Sequence, residues 1–119
     1  MLTQEKGRLA EEKALSYLVA QGLKLVAQNF RCRLGEIDLI MRDRDYLVFI
    51  EVRARVSADF GGGIASITYA KRQKIIKSAS YYMLTQSARS NLAIRFDVIS
   101  IDGKSASLSW IKDAFGMDY

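Results

Sequence analysis

The stretch that decides the fold runs from Gly35 to Arg55 and reads GEIDLIMRDRDYLVFIEVRAR. Residues 35–42 and 46–55 are rich in β-branched and large apolar side chains, and Asp43, Arg44 and Asp45 form the only polar break between them. This is the pattern of two strands joined by a tight turn. A two-residue loop at Arg44 and Asp45 sets the register. Asp38 then faces Glu51, Glu36 faces Arg53, and Ile40 faces Phe49. On the other side Ile37, Leu39 and Met41 face Val52, Ile50 and Val48. Side chains alternate along a strand, so one face of this hairpin is aliphatic and the other carries acids. A carboxylate taken out of water is costly unless something pairs with it.

Outward from the hairpin, the rest of the chain supplies two helices and further strands. Residues 4–22 have Ala10, Ala14, Leu15, Leu18 and Val19 on one face at helical spacing, with Gly22 as the stop. Glu11 falls in the middle of that apolar face and Glu12 at its edge. Residues 23–31 read as a first strand. Residues 57–63, SADFGGG, read as a loop whose three glycines permit almost any backbone. Residues 66–87 predict a long helix with Ile67, Ala70, Ile75, Ala79, Tyr82 and Met83 as its stripe. Its opposite face carries Lys71, Arg72, Lys74 and Lys77. Residues 93–101 alternate as a half-buried strand, and 106–113 read as a last short one. The expected fold is α/β, in the order α-β-β-β-α-β with that short strand after it, in one domain spanning residues 1–119. The long helix links two strands of the sheet and is expected to cross over right-handed.

Composition narrows the chemistry. The chain has 119 residues, no histidine and one cysteine, Cys32. That excludes histidine-dependent nucleophiles, histidine-ligated zinc, internal disulfides and cysteine clusters. Chemistry here has to use carboxylates, Lys, Arg, Tyr, Ser or Thr, with a hard cation held by oxygens as the natural cofactor. No apolar run approaches the ~20 residues of a membrane span, and the polar N-terminus does not read as a secretory signal. A cytoplasmic protein without membrane contact is expected. The formal net charge of +5 fits either a solvated basic surface or a polyanionic partner, most often nucleic acid.

Asp38 and Glu51, directly opposed, bring two carboxylates to within ~5 Å at Cβ. Two such groups repel unless one is protonated or a cation lies between them. Mg²⁺, or Mn²⁺, fits between them and retains waters, and Glu11 is a candidate third oxygen. The alternative is salt bridging, Glu36 with Arg53 and Glu51 with Arg55 or Arg31.

The spacing Asp38, twelve residues, Glu51-Val52-Arg53 is similar to the PD-(D/E)XK motif of restriction-endonuclease-like nucleases. The chain more closely resembles the YraN-like family of uncharacterised bacterial proteins. The resemblance is carried by Gly7–Ala14, Asn29–Arg31, Gly35–Ile40, Phe49–Arg55, Lys71–Ile75 with Ala79 and Tyr82, and Arg95–Ile99. It implies a restriction-endonuclease-like core, a mixed central sheet flanked by helices, as in Holliday-junction resolvases and the tRNA-endonuclease-like fold. It further implies a metal-dependent nuclease site. Asp38, Glu51, the Val52 carbonyl and Glu11 would hold the metal, and Arg53 would stand where the motif has lysine. Arginine stays protonated at any working pH and cannot act as a base, though it can stabilise developing charge. Glu36 is expected to partner Arg53. Arg31, Arg33, Arg55, Lys71 and Lys74 are candidate contacts to the phosphates of nucleic acid, DNA in the first instance and branched or structured DNA in particular. The resemblance also implies a homodimer. A non-catalytic nucleic-acid-binding module on a nuclease scaffold is the alternative function.

Overall fold

A computed structural model of the chain describes residues 3–55, 67–85 and 92–116, with side chains described from residue 7 onward except at 55. The elements are α1 (Thr3–Ala20), β1 (Lys24–Cys32), β2 (Gly35–Asp43), β3 (Tyr46–Arg55), α2 (Tyr69–Thr85), β4 (Ala93–Asp102) and β5 (Leu108–Phe115). The five strands form one sheet in the order β1-β2-β3-β4-β5. Only β3 and β4 run parallel; the other neighbours are antiparallel. The expected α/β order and mixed sheet are therefore present, and the last short strand is β5. The Gly-rich loop expected at 57–63 lies outside the described residues. No helix among the described residues is long and apolar enough to cross a membrane.

The hairpin register follows from its turn. Arg44 takes a left-handed φ of 55°, which lets Asp43 pair with Tyr46 and fixes Leu39 opposite Ile50 and Ile40 opposite Phe49. The helices cover the two faces of the sheet. On one side Ala10, Ala14 and Leu18 of α1 pack on Leu39, Met41, Val48, Ile50 and Ile99. On the other, Ile75, Ile76, Ala79 and Tyr82 of α2 pack on Ile40, Phe49, Phe96 and Val98. α1 ends in a Schellman motif: Leu23 N–H donates to Leu18 C=O and Gly22 N–H to Val19 C=O, both at 3.0 Å. Gly22 supplies the required left-handed residue with φ 101°. Val19, expected on the apolar face, is 51% exposed because the chain turns away there.

The purely aliphatic face expected of the hairpin needs one correction. Ile37 packs with Ile40 and Phe49 on the α2 side, while Leu39 and Met41 pack on the α1 side. The alternation therefore slips at Asp38. Opposite it on β1 stands Asn29, itself left-handed with φ 51°. The ladder between β2 and β3 runs from Asp43↔Tyr46 to Leu39↔Ile50, whereas β3 stays paired with β4 as far as Arg55↔Asp102. In place of a further ladder bond, Asp38 Oδ2 accepts the Val52 N–H at 2.8 Å. The sheet thus forks at Asp38.

Candidate functional site

The fork places the acids at the carboxyl end of β3, where ligands bind in open sheets with parallel strands. A cavity of about 350 Å³ opens there, with α1 and α2 contributing its walls. Glu11, Asp38, Glu51, Val52, Arg53, Lys71 and Lys74 all line it. These residues come from both helices and two strands, so the fold gathers what the sequence scatters over more than sixty positions.

Asp38 is 9% exposed, its Oδ2 held by the Val52 N–H. Glu51 is half-buried and hydrogen-bonded to Asp38. Its pKa is pushed up to about 9, first by burial, then by the hydrogen bond and charge of Asp38, with Arg53 and Lys71 pulling the other way. The expected facing pair is therefore in contact, and burial together with the Asp38 carboxylate favours the protonated form of Glu51. Glu11 is displaced in the same direction, through burial and the nearby Asp38 carboxylate, while a hydrogen bond from Asn29 opposes the shift. No three acidic or cysteine side chains among the described residues converge closely enough to enclose a metal ion as they stand. The site is a pair of carboxylates with Glu11 nearby.

The basic residues divide. Lys71 and Lys74 face the cavity from α2, and Arg53 from β3. Arg31 does not line it; it pairs with Glu36 at 3.1 Å, with both side chains largely exposed. Glu36, expected to partner Arg53, thus finds its ion pair across the β1–β2 turn, because Arg31 lies directly opposite it in the register. Arg33 is exposed at that turn, away from the cavity wall. The side chain of Arg55, and any pairing of Glu51 with it, lie outside the described residues.

Two contributors carried no expected role. Asn29 orients Glu11, and its only sequence signal is an Asn inside a strand pattern, a residue that tolerates left-handed backbone. Gly35 brings α2 against the start of β2. A Cβ there would lie 3.0 Å from Ser78 Oγ and 3.4 Å from Lys74 Cβ, and its φ of 150° is itself a glycine conformation. Ser78 is fully buried, and its hydroxyl has no hydrogen-bond partner among the described residues.

Comparison with known proteins places these residues in a family. A family model described as "Uncharacterised protein family UPF0102" matches residues 10–101, which include every cavity-lining residue except Gly7. A UPF0102 protein of Legionella pneumophila (strain Corby) is 62% identical over 114 residues, covering 96% of this chain and 97% of that protein. One from Psychromonas ingrahamii is 54% identical over 113 residues, covering 95% and 91%. One from Ralstonia pickettii is 48% identical over 121 residues, covering 98% and 94%.

Proposed function

The chain belongs to the UPF0102 family, and from that footing we propose that it is a divalent-metal-dependent nuclease acting on branched or otherwise structured DNA. The observation that carries this reading is the contacting Asp38–Glu51 carboxylate pair, sunk at the fork of the sheet and facing a cavity whose other walls bear Arg53, Lys71 and Lys74. A protein gains nothing in stability by holding two carboxylates together when hydrophobic residues would fill the same space. A cation of the size of Mg²⁺ or Mn²⁺ held between them would remove the conflict. Such ions are held by one or two carboxylates and keep several waters, so the absence of a tight third acid fits this donor set.

In this reading Asp38, Glu51, the Val52 carbonyl and Glu11 would hold the ion. When bound, the ion makes a water nucleophilic and polarises a phosphoryl oxygen. Arg53 faces the charge that develops on the phosphoryl group without exchanging a proton. Asn29 keeps Glu11 aimed at the site. The homodimer implied by the family resemblance belongs to the same proposal and is read from the sedimentation of the full chain.

The test is incubation of the full chain with labelled linear, branched and single-stranded DNA, and with RNA, in Mg²⁺ or Mn²⁺. Cleavage of branched DNA that disappears in Glu51→Ala is the expected result. Cleavage that survives Glu51→Ala sinks the catalytic assignment.

One observation favours a second reading. The cation that β3 contributes to the cavity wall is Arg53, which cannot give up a proton, so the same pocket suits a module that binds nucleic acid without cutting it. Binding would then be salt-sensitive, persist in EDTA and survive Asp38→Asn. Cleavage gained in Arg53→Lys would separate an intact site lacking its lysine from a pure binding surface.

A further inference from the structure

The two cavity lysines of α2 do not occupy equivalent places. The hydroxyl of Thr68 caps this helix, accepting the Lys71 N–H at 3.2 Å, and this fixes Lys71 in its first turn. From there Lys71 lines the wall of the cavity that also holds Asp38, Glu51 and Arg53. Lys74 lies one turn further along, ~4.5 Å by helix rise. Its Cβ lies 3.4 Å from where a Cβ at Gly35 would stand, so the base of its side chain rests against the start of β2. The close approach at Gly35 holds this whole segment at a fixed height above the acids.

We infer that Lys71 contacts the scissile phosphate itself, whereas Lys74 contacts a neighbouring phosphate of the same strand. This rests on the nuclease reading above and assigns the two lysines different work within it. A charge at the reacting phosphorus stabilises the transition state, in which negative charge moves onto the phosphoryl oxygens, more than the ground state. A charge on a flanking phosphate binds ground state and transition state alike. With Arg53 on the β3 side and Lys71 on the α2 side, the phosphoryl group is met by fixed positive charge from both walls. The role is electrostatic: the ammonium keeps its proton throughout.

A small diester separates the two lysines because it has no flanking phosphate. The experiment measures hydrolysis of bis(p-nitrophenyl) phosphate and of a labelled four-way DNA junction by the full chain in Mn²⁺. Alongside it, Mn²⁺ and then inorganic phosphate are titrated by calorimetry. Lys71→Met is expected to lose roughly 100-fold in kcat on both diesters and to bind phosphate more weakly, with Mn²⁺ affinity undiminished. Lys71→Arg keeps the charge and is expected to retain most of the rate. Lys74→Met is expected to lose far less of the rate on the small diester than Lys71→Met does. On the junction it raises KM with kcat unchanged, and it flattens the salt dependence by about one phosphate contact.

Wild-type hydrolysis of the small diester by Lys71→Met, or equal losses in the two methionine variants, would overturn the assignment. Should wild type hydrolyse neither substrate, the nuclease reading falls. Phosphate binding by the Mn²⁺-loaded protein then decides for or against Lys71 as an anion contact beside the acids.

Discussion

Asp97 of β4 and Asp38 of β2 are carboxylates sunk in the same sheet, and their surroundings are opposite. Asp97 is completely buried and saturated with donors. It accepts both Arg95 Nε and Nη2 at 2.8 Å, Trp110 Nε1 at 2.9 Å and the Asp113 N–H at 3.0 Å. Arg95 in turn reaches Asp43 at 2.9 Å and lies over the Tyr46 ring. No cavity residue takes part. Asp38 has one backbone donor and otherwise faces a second acid, with the cavity open beside them. The contrast separates two reasons for burying a charge. At Asp97 the charge ties β4 to β5 and to the hairpin turn; at Asp38 the pair is left in need of a cation.

The largest effect should come from breaking the saturated end. Asp97→Ala leaves Arg95 with Asp43 alone and orphans the Trp110 and Asp113 donors. Removing one member of a buried ion pair costs about 3–5 kcal/mol, so the thermal midpoint should fall by of the order of 10 °C or more. Glu51→Gln removes the charge of a half-buried acid at the other end and should cost little or nothing. Equal losses in calorimetry would erase the distinction between the two ends.

Metal addition sharpens the contrast next. Mn²⁺ at a hundredfold excess over its Kd should stabilise the wild type by about 2.7 kcal/mol. That gain should vanish in Asp38→Asn and persist in Asp97→Asn, however destabilised the latter is in absolute terms. A melt in Mn²⁺ with each variant reads it directly.

A pH series probes the same end without metal. Glu51 has a folded pKa raised above its ordinary value, to about 9. Its contribution to stability is therefore fully present below the unfolded carboxylate pKa and is lost as pH rises towards the folded one. Between about pH 5 and 9 the metal-free wild type should lose stability relative to Glu51→Gln, by at most ~1.4 kcal/mol per pH unit. Mn²⁺ should flatten that slope. A wild-type curve parallel to that of Glu51→Gln would mean that the surroundings do not raise the Glu51 pKa.

How far each end was legible in the sequence follows from the kind of signal it carries. The opposition of Asp38 and Glu51 was readable because turn length fixes antiparallel register, and the wheel placed Glu11 on the buried face of α1. The slip at Asp38 was not readable: it depends on a side chain replacing a backbone acceptor and on a left-handed Asn29 across the strand, neither of which periodicity encodes. The Asp97 network stayed hidden for a related reason. Arg95 and Asp97 alternate with Phe96 and Val98 as a half-exposed strand should, and only the bulge between Phe96 and Val98 carries β5 round to bury them. Arg31 and Arg33, candidate phosphate contacts by sequence, do not line the cavity; strand order does not say where the β1–β2 turn points them. Ser78 was overlooked because a serine in a helix reads as surface.

That serine supplies the smallest and most discriminating prediction. Asp97 is matched with donors; the cavity end keeps a fully buried hydroxyl with no partner among the described residues, lodged where α2 meets Gly35. An unpaired buried hydroxyl costs stability, and alanine is the better helix former. Ser78→Ala should therefore raise stability, by about 0.5–1 kcal/mol, and leave Mn²⁺ affinity unchanged, since the methyl group still fits against Gly35. Loss of stability in this variant would mean that the hydroxyl makes a bond worth keeping, and the cavity end would then be less frustrated than its carboxylates suggest. A gain in stability with Mn²⁺ affinity intact would confine the unsatisfied hydroxyl to the helix contact and leave the acid pair as the part of this end that answers to metal.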